Sequence, residues 1–283
     1  MDSKQSLNPL AKHFRQPEIY FKLPSQGKFW AEDSLVLPIT GDLPVYPMTA
    51  RDEITLRTPD ALLNGQGVVN VIESCCPGIK NAWRMPSTDV DATLIAIRIA
   101  SYGPGMELGT KCPACGEDNE YNVNLSTILD GLHMPNYQDK LDCGHVKIKL
   151  RPQEYFSVNQ TDQVRFEEQR IINALTAEDA TDEFRVATYS KHMERIVELN
   201  IKILVDSTEY IETTDGDIVN NPEYILEFYH QCETQIVTTI QTRLAELLES
   251  TRIRPVDVTC ESCQNPFKLP LMFDYASFFA KGS

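Results

Sequence analysis

The chain has 283 residues and a mass of 32.1 kDa, a length that suits one large domain or two ordinary ones. Its apolar content of 42% is enough to build a buried core, which excludes a disordered chain. Acidic residues number 41 and basic residues 26, and the net charge of −15 disfavours general binding to nucleic acid or to anionic membrane surfaces.

No apolar stretch approaches the roughly 20 residues that are needed to span a bilayer, and the N-terminal sequence lacks the apolar region of a secretory signal. We therefore expect a soluble protein that does not insert into membranes and is made and kept in a cytoplasm. Disulfides are improbable in that reducing compartment, so the eight cysteines indicate metal binding or burial.

Residues 1–57 are predicted to form an extended, β-rich N-terminal arm. Residues 18–23 have the pattern of a strand that a proline ends. Two further short strands, at 35–39 and 43–46, flank the turn-forming residues 40–42, which is the pattern of a short hairpin. Prolines in these strands confine them to sheet edges or bends, because proline cannot donate to a ladder.

Residues 58–105 are predicted to form a helical segment. Thr58, followed by a proline and an aspartate, has the sequence of a helix start, and a helix is expected up to about Cys75. Thr88 and Asp91 suggest a second start with a capping box. The apolar residues that follow Asp91 occupy almost every side of the helix, so we expect it to be buried all round.

The rest of the chain divides into a β module, residues 106–152 plus 253–283, and a helical insertion, residues 153–252. Alternating apolar residues predict the strands of the module, and the aromatic C-terminal tail should dock on the protein. Within the insertion, apolar residues from Asn221 to about Ser250 share one helical face. The predicted fold is α+β: a zinc-ribbon-like β module with a helical insertion and an extended β-rich N-terminal arm.

Two C-x-x-C motifs, each followed by an alternating strand, are the most informative feature of the sequence. Cys112 and Cys115 form the first motif, and Cys260 and Cys263 form the second. Two thiolates at this spacing can occupy adjacent corners of a metal tetrahedron, so the two motifs together make a closed four-thiolate site for structural zinc, Zn²⁺. Closing the intervening loop of roughly 140 residues has only a logarithmic entropic cost.

A rival ligand set combines the first motif with Cys143 and His145, which lie nearer in sequence. The absence of any metal is a further alternative. A thioredoxin-like redox pair is disfavoured, because its first cysteine should begin a helix, whereas each motif here runs into a strand pattern. These alternatives stay open from spacing alone.

The sequence carries no catalytic constellation. It lacks a nucleophile elbow, a phosphate-binding glycine loop and a zinc-protease motif, and its histidines are scattered. A four-thiolate site also leaves no coordination position for a reactive water. We therefore expect that the protein is not an enzyme.

Several stretches spread over nearly the whole chain resemble the T-even-type (T4-like) bacteriophage baseplate hub and hub assembly proteins. The resemblance is carried by residues 19–29, 43–50, 58–62, 76–79, the two C-x-x-C motifs, 150–152 and 267–279.

The resemblance implies a component of the central hub of a contractile-tail baseplate, or a factor that assembles it, acting by protein–protein interaction. The implied partners are hub, wedge or tape-measure proteins in an oligomeric assembly. The implied location is the host cytoplasm during assembly and the virion tail baseplate thereafter. Only the two C-x-x-C motifs transfer as site residues, since Cys143 and His145 are not part of the family pattern.

Two other functions compete with this reading. A zinc-ribbon regulator that associates with nucleic acid uses similar motifs, but the net charge and the lack of basic and aromatic residues around the motifs argue against it. A thiol oxidoreductase would require one motif to cycle between dithiol and disulfide without a metal.

Overall fold

A computed structural model describes residues 9–58, 65–175, 182–271 and 278–279, with side chains except at residues 11, 172–175 and 182–190. The fold is α+β, as predicted. The helices are α1 (Ala50–Leu56), α2 (Gln66–Cys75), α3 (Ser87–Tyr102), α4 (Leu125–Gly131), α5 (Tyr155–Leu175), α6 (Asp182–Asp206), α7 (Pro222–Gln231) and α8 (Thr234–Thr251). The strands are β1 (Ile19–Phe21), β2 (Leu43–Val45), β3 (Gly105–Lys111), β4 (Asp118–Asn124), β5 (Lys140–Asp142), β6 (Val146–Leu150), β7 (Thr208–Thr213), β8 (Ile218–Val219), β9 (Val256–Thr259) and β10 (Pro266–Leu269).

The first of two hydrophobic cores is built around α3, which is buried on all sides, as its apolar pattern predicts. Helix α2 and strands β1 and β2 pack on it. The predicted capping box is wrong: α3 begins at Ser87, directly after Pro86, and no side chain caps it. The prediction for residues 59 and 60 lies outside the described residues.

The short hairpin predicted around residues 40–42 is wrong. Strand β2 pairs instead with β1, and Leu35 bridges Ile79. The reason is burial, because Leu43 and Val45 are fully buried in the first core, whereas Ile39 of the other predicted strand is fully exposed. The arm is also less extended than predicted, since it contains α1.

A buried carboxylate attaches the arm to the start of α3. Asp89 is fully buried, and its side chain accepts hydrogen bonds from the backbone N–H of Ser25 at 2.8 Å, from the Ser25 hydroxyl and from the Trp30 indole at 2.9 Å. These donors favour the charged form, but burial outweighs them and raises the pKa of Asp89 from 3.8 to about 6.

The second core lies between a four-stranded antiparallel sheet, in the order β5-β6-β7-β8, and the helices α7 and α8. The polar hairpin predicted at residues 214–217 joins β7 to β8. The boundary predicted at residue 152 runs through this sheet, because β6 pairs with β7, which follows α6. The single helix predicted from Asn221 is two helices, with a break at Cys232 and Glu233 in extended conformations.

Consecutive aromatic residues connect the two cores. Trp30 packs against the first core, and Phe29 packs against the second, where its ring meets Tyr137 edge to face at 5.8 Å. The predicted docking of the C-terminal tail is confirmed at Phe278 and Phe279, which are buried in the first core. The prediction for Phe273 lies outside the described residues.

Asp89 should make folding stability depend on pH. Its folded pKa of about 6 lies above its ordinary value, so the folded state binds the proton more tightly. The contribution of Asp89 to the free energy of unfolding should therefore fall as pH rises from about 4 to about 6, by up to about 3 kcal/mol.

Urea unfolding of the wild type and Asp89→Asn at several pH values measures this effect, since the neutral amide cannot titrate. We expect the wild type to lose stability relative to the variant over that pH interval. A stability difference that stays constant with pH would contradict the prediction.

Candidate metal centre

Each C-x-x-C motif lies in the turn of a two-stranded antiparallel hairpin. The turn of residues 112–117 joins β3 to β4, and the turn of residues 260–265 joins β9 to β10. The strands follow the motifs as the alternating pattern predicts, so neither first cysteine begins a helix. This is the geometry of a metal-binding knuckle and not of a helical redox motif.

The two turns share one backbone conformation. In the first turn the Cys112 N–H donates to the Glu117 carbonyl at 2.9 Å, and the Gly116 N–H donates to the Cys112 carbonyl at 2.9 Å. The equivalent bonds of Cys260 in the second turn are both 3.0 Å. In each turn the residue after the second cysteine is left-handed, with φ of 76° at Gly116 and 59° at Gln264.

The two hairpins bring their four sulfurs together. Cys112 Sγ lies 3.7 Å from Cys263 Sγ, and Cys115 Sγ lies 3.7 Å from Cys260 Sγ. All four ligand atoms lie within 4.8 Å of one another. A tetrahedron with metal–sulfur bonds of about 2.3 Å has sulfur–sulfur edges of about 3.8 Å, so the four cysteines can hold a metal ion.

The cluster is half enclosed and electrostatically prepared for a cation. Cys112 and Cys260 are buried, whereas Cys115 and Cys263 are exposed. The backbone N–H of Cys263 lowers the pKa of the Cys260 thiol to about 6, with burial acting in the opposite direction. Cys260 is therefore largely a thiolate at neutral pH, which is the form that binds metal.

Two residues that the sequence analysis missed hold the hairpins together. Asn119 is buried, and its amide donates to the Glu117 carbonyl at 2.9 Å while its oxygen accepts from the Glu261 N–H at 3.0 Å. The Tyr121 hydroxyl donates to the Thr259 carbonyl at 3.0 Å. An asparagine on the same strand face as buried Val123 is the one sequence signal that pointed to this role.

The rival ligands lie elsewhere. Cys143 packs against the second core, and exposed His145 follows it in the turn between β5 and β6. Neither belongs to the cysteine cluster, which is the group of metal-ligating side chains found among the described residues.

One other cluster of titratable side chains is structural. Glu168 of α5 and His192 of α6 are both buried and paired through His192 Nδ1. Arg195 lies 2.9 Å from the other Glu168 oxygen. Ion pairing of this kind satisfies a buried carboxylate between two helices and supplies no open position for a substrate.

The comparisons with known proteins give one result. The family model described as T4 bacteriophage base plate protein matches residues 16–280, which is nearly the whole chain. No curated protein and no solved structure gives a significant match. Among the helices that the structure describes, none combines the length and apolar character needed to cross a membrane.

The left-handed residue of each turn should respond oppositely to substitution. We expect Gly116→Ala to lower the free energy of unfolding by about 1 kcal/mol, because a side chain strains this backbone, and Gln264→Gly to raise it by up to about 1 kcal/mol, because it removes that strain.

Chemical denaturation of the metal-loaded protein measures both effects. Gly109→Ala is the matched control, since Gly109 lies in β3 with open space around it and without a positive φ. Destabilisation by Gln264→Gly equal to that by Gly116→Ala would contradict the shared conformation of the turns.

Proposed function

The chain belongs to the T4 bacteriophage base plate protein family, and from this membership we propose that it is a component of the central baseplate hub, or a factor that assembles the hub. The observation that carries the proposal is the family match over residues 16–280. The hub, as distinct from the surrounding wedges, is favoured by the resemblance of residues 19–29 and 43–50 to hub proteins.

The protein acts by binding other baseplate proteins. Its surface supports this, because large apolar side chains stay exposed on the arm and on the helices at Phe14, Tyr20, Val36, Ile39, Ile54, Phe156, Phe166 and Tyr224. An apolar groove of about 730 Å³ also runs between α5, α6 and α7. The arrangement of the described side chains offers no nucleophile with an adjacent base.

The cysteine cluster binds structural zinc. Soft thiolate ligands in a closed tetrahedral set favour this ion, and the sulfur separations of 3.7 Å fit it. When bound, zinc contributes folding free energy and no reaction, because all four positions are filled by protein. Its role is to fix the hairpin before the second core to the hairpin after it.

Metal analysis tests the ligand assignment. We expect about one zinc per chain in freshly purified protein, and loss of that zinc in Cys112→Ser and in Cys260→Ser, together with several kcal/mol of stability. Cys143→Ser is the matched control and should keep its zinc. Zinc retained in the first two variants, or zinc absent from the wild type, would overturn the assignment.

The alternative of a nucleic-acid-associated zinc ribbon is not favoured by the surroundings of the cluster. The exposed residues around the turns are mainly acidic, at Glu117, Asp118, Glu120 and Glu261. Carboxylates in these positions repel a phosphate backbone, whose binding depends on neutralisation by lysine and arginine.

Phage assembly tests the hub proposal directly. We expect that inactivating the gene in its phage leaves baseplate wedges that lack a central hub, as seen by electron microscopy of purified tail intermediates. Complementation by the wild type and by Cys143→Ser should restore tails, and Cys112→Ser should restore few or none. Complete baseplates in the absence of the protein would contradict the proposal.

A further inference from the structure

A cleft of about 580 Å³ lies where the two cores meet. Residues 28–31 of the arm and Arg84 form one side of the cleft, and residues of β6, β7 and the segment after β6 form the other. Ligand sites occur preferentially at such junctions, because side chains from separate elements converge there.

The cleft collects positive charge on a strongly acidic protein. Four cationic side chains and two carboxylates line it: Lys28, Arg84, Lys149, Arg151, Glu154 and Glu209. This local excess stands against a net charge of −15 for the chain. A concentration of like charges destabilises the fold unless an anion offsets it, so the cleft is a candidate for an anionic ligand.

One carboxylate already shows how an anion is held there. Glu154 Oε2 accepts from Arg84 Nε at 2.8 Å, and Glu154 Oε1 lies 3.5 Å from Arg151 Nη2. Among the described residues, no carboxylate lies within ion-pair distance of the Lys28 or Lys149 ammonium. The cleft therefore has cationic donors beyond those that its own glutamate uses.

The walls of the cleft are fixed before any ligand arrives. The Trp30 indole is bound to Asp89 at 2.9 Å, and the ring of Phe29 is held against Tyr137. Lys149 stands opposite Tyr210 in the β6–β7 ladder. Binding to a preformed site avoids the entropic cost of ordering loops.

The surroundings of the cleft distinguish carboxylates from a phosphate polymer. Guanidinium and ammonium groups bind both. A nucleic acid strand would extend from the cleft onto an acidic surface, whereas a short acidic peptide places its charges inside. At about 0.15 M salt, charges more than about 8 Å away are largely screened, so the local excess decides.

We propose that this cleft binds a short acidic segment of a partner protein through Lys28, Lys149 and Arg151. Aromatic walls at Phe29, Trp30 and Tyr210 suit an apolar side chain between the carboxylates. The inference rests on the proposed function in assigning a protein partner, but its test uses the purified chain alone and can fail independently of the hub role.

Fluorescein-labelled octaglutamate is the probe, and its anisotropy at about 0.15 M salt reports binding. We expect the double variant Lys28→Glu, Lys149→Glu to bind it about tenfold more weakly, or worse, because two attractive charges become repulsive. The matched control is Lys147→Glu, Lys268→Glu, which makes the same charge change at exposed lysines outside the cleft and should bind as the wild type does.

Three results would overturn the proposal. These are no binding of octaglutamate by the wild type at millimolar concentration, an equal loss in both double variants, and tighter binding of a single-stranded octanucleotide. Carbodiimide coupling of octaglutamate to the wild type keeps the test independent of variant folding. Amide links at Lys28 or Lys149, mapped by mass spectrometry, support the cleft, and links only at other lysines refute it.

Discussion

The architecture depends on the contact between two cysteine pairs that are remote in sequence and adjacent in space. The sulfurs of Cys112 and Cys263 are 3.7 Å apart although 151 positions separate them, and those of Cys115 and Cys260 are equally close. The whole second core lies on the chain between these pairs. A bond between the hairpins therefore closes a long loop and restricts the unfolded chain as well as fixing the folded one.

The remaining connections between the cores are few and polar or aromatic. Phe29 and Trp30 divide between the two cores, Asp89 holds the arm that carries them, and Asn119 joins the two cysteine hairpins. A baseplate protein that serves as a structural part needs such rigidity, because affinity for a partner falls when a binding surface must be ordered first. The same connections create the cationic cleft at the junction.

Local sequence patterns predicted the elements whose structure depends on neighbours in sequence. The all-round burial of α3 and the turn-and-strand form of the cysteine motifs follow from spacing over a few residues. The predictions that failed required a choice between distant partners or the detection of a short break. Residues 43–46 had a plausible strand beside them at 35–39, but burial of Leu43 and Val45 against the first core selected β1. The break at Cys232 left the apolar helical spacing intact, so periodicity did not reveal it.

The sequence by itself determined that the chain is α+β, that each C-x-x-C motif forms a hairpin turn, and that it belongs with baseplate proteins. Only the tertiary structure decided which thiols meet, since Cys143 was nearer along the chain and yet lies on the second core. It also decided that Lys28, Arg84 and Lys149 converge on one cleft. The physical reason is that helical and strand periods are set by local backbone geometry, whereas these juxtapositions arise from the packing of two cores.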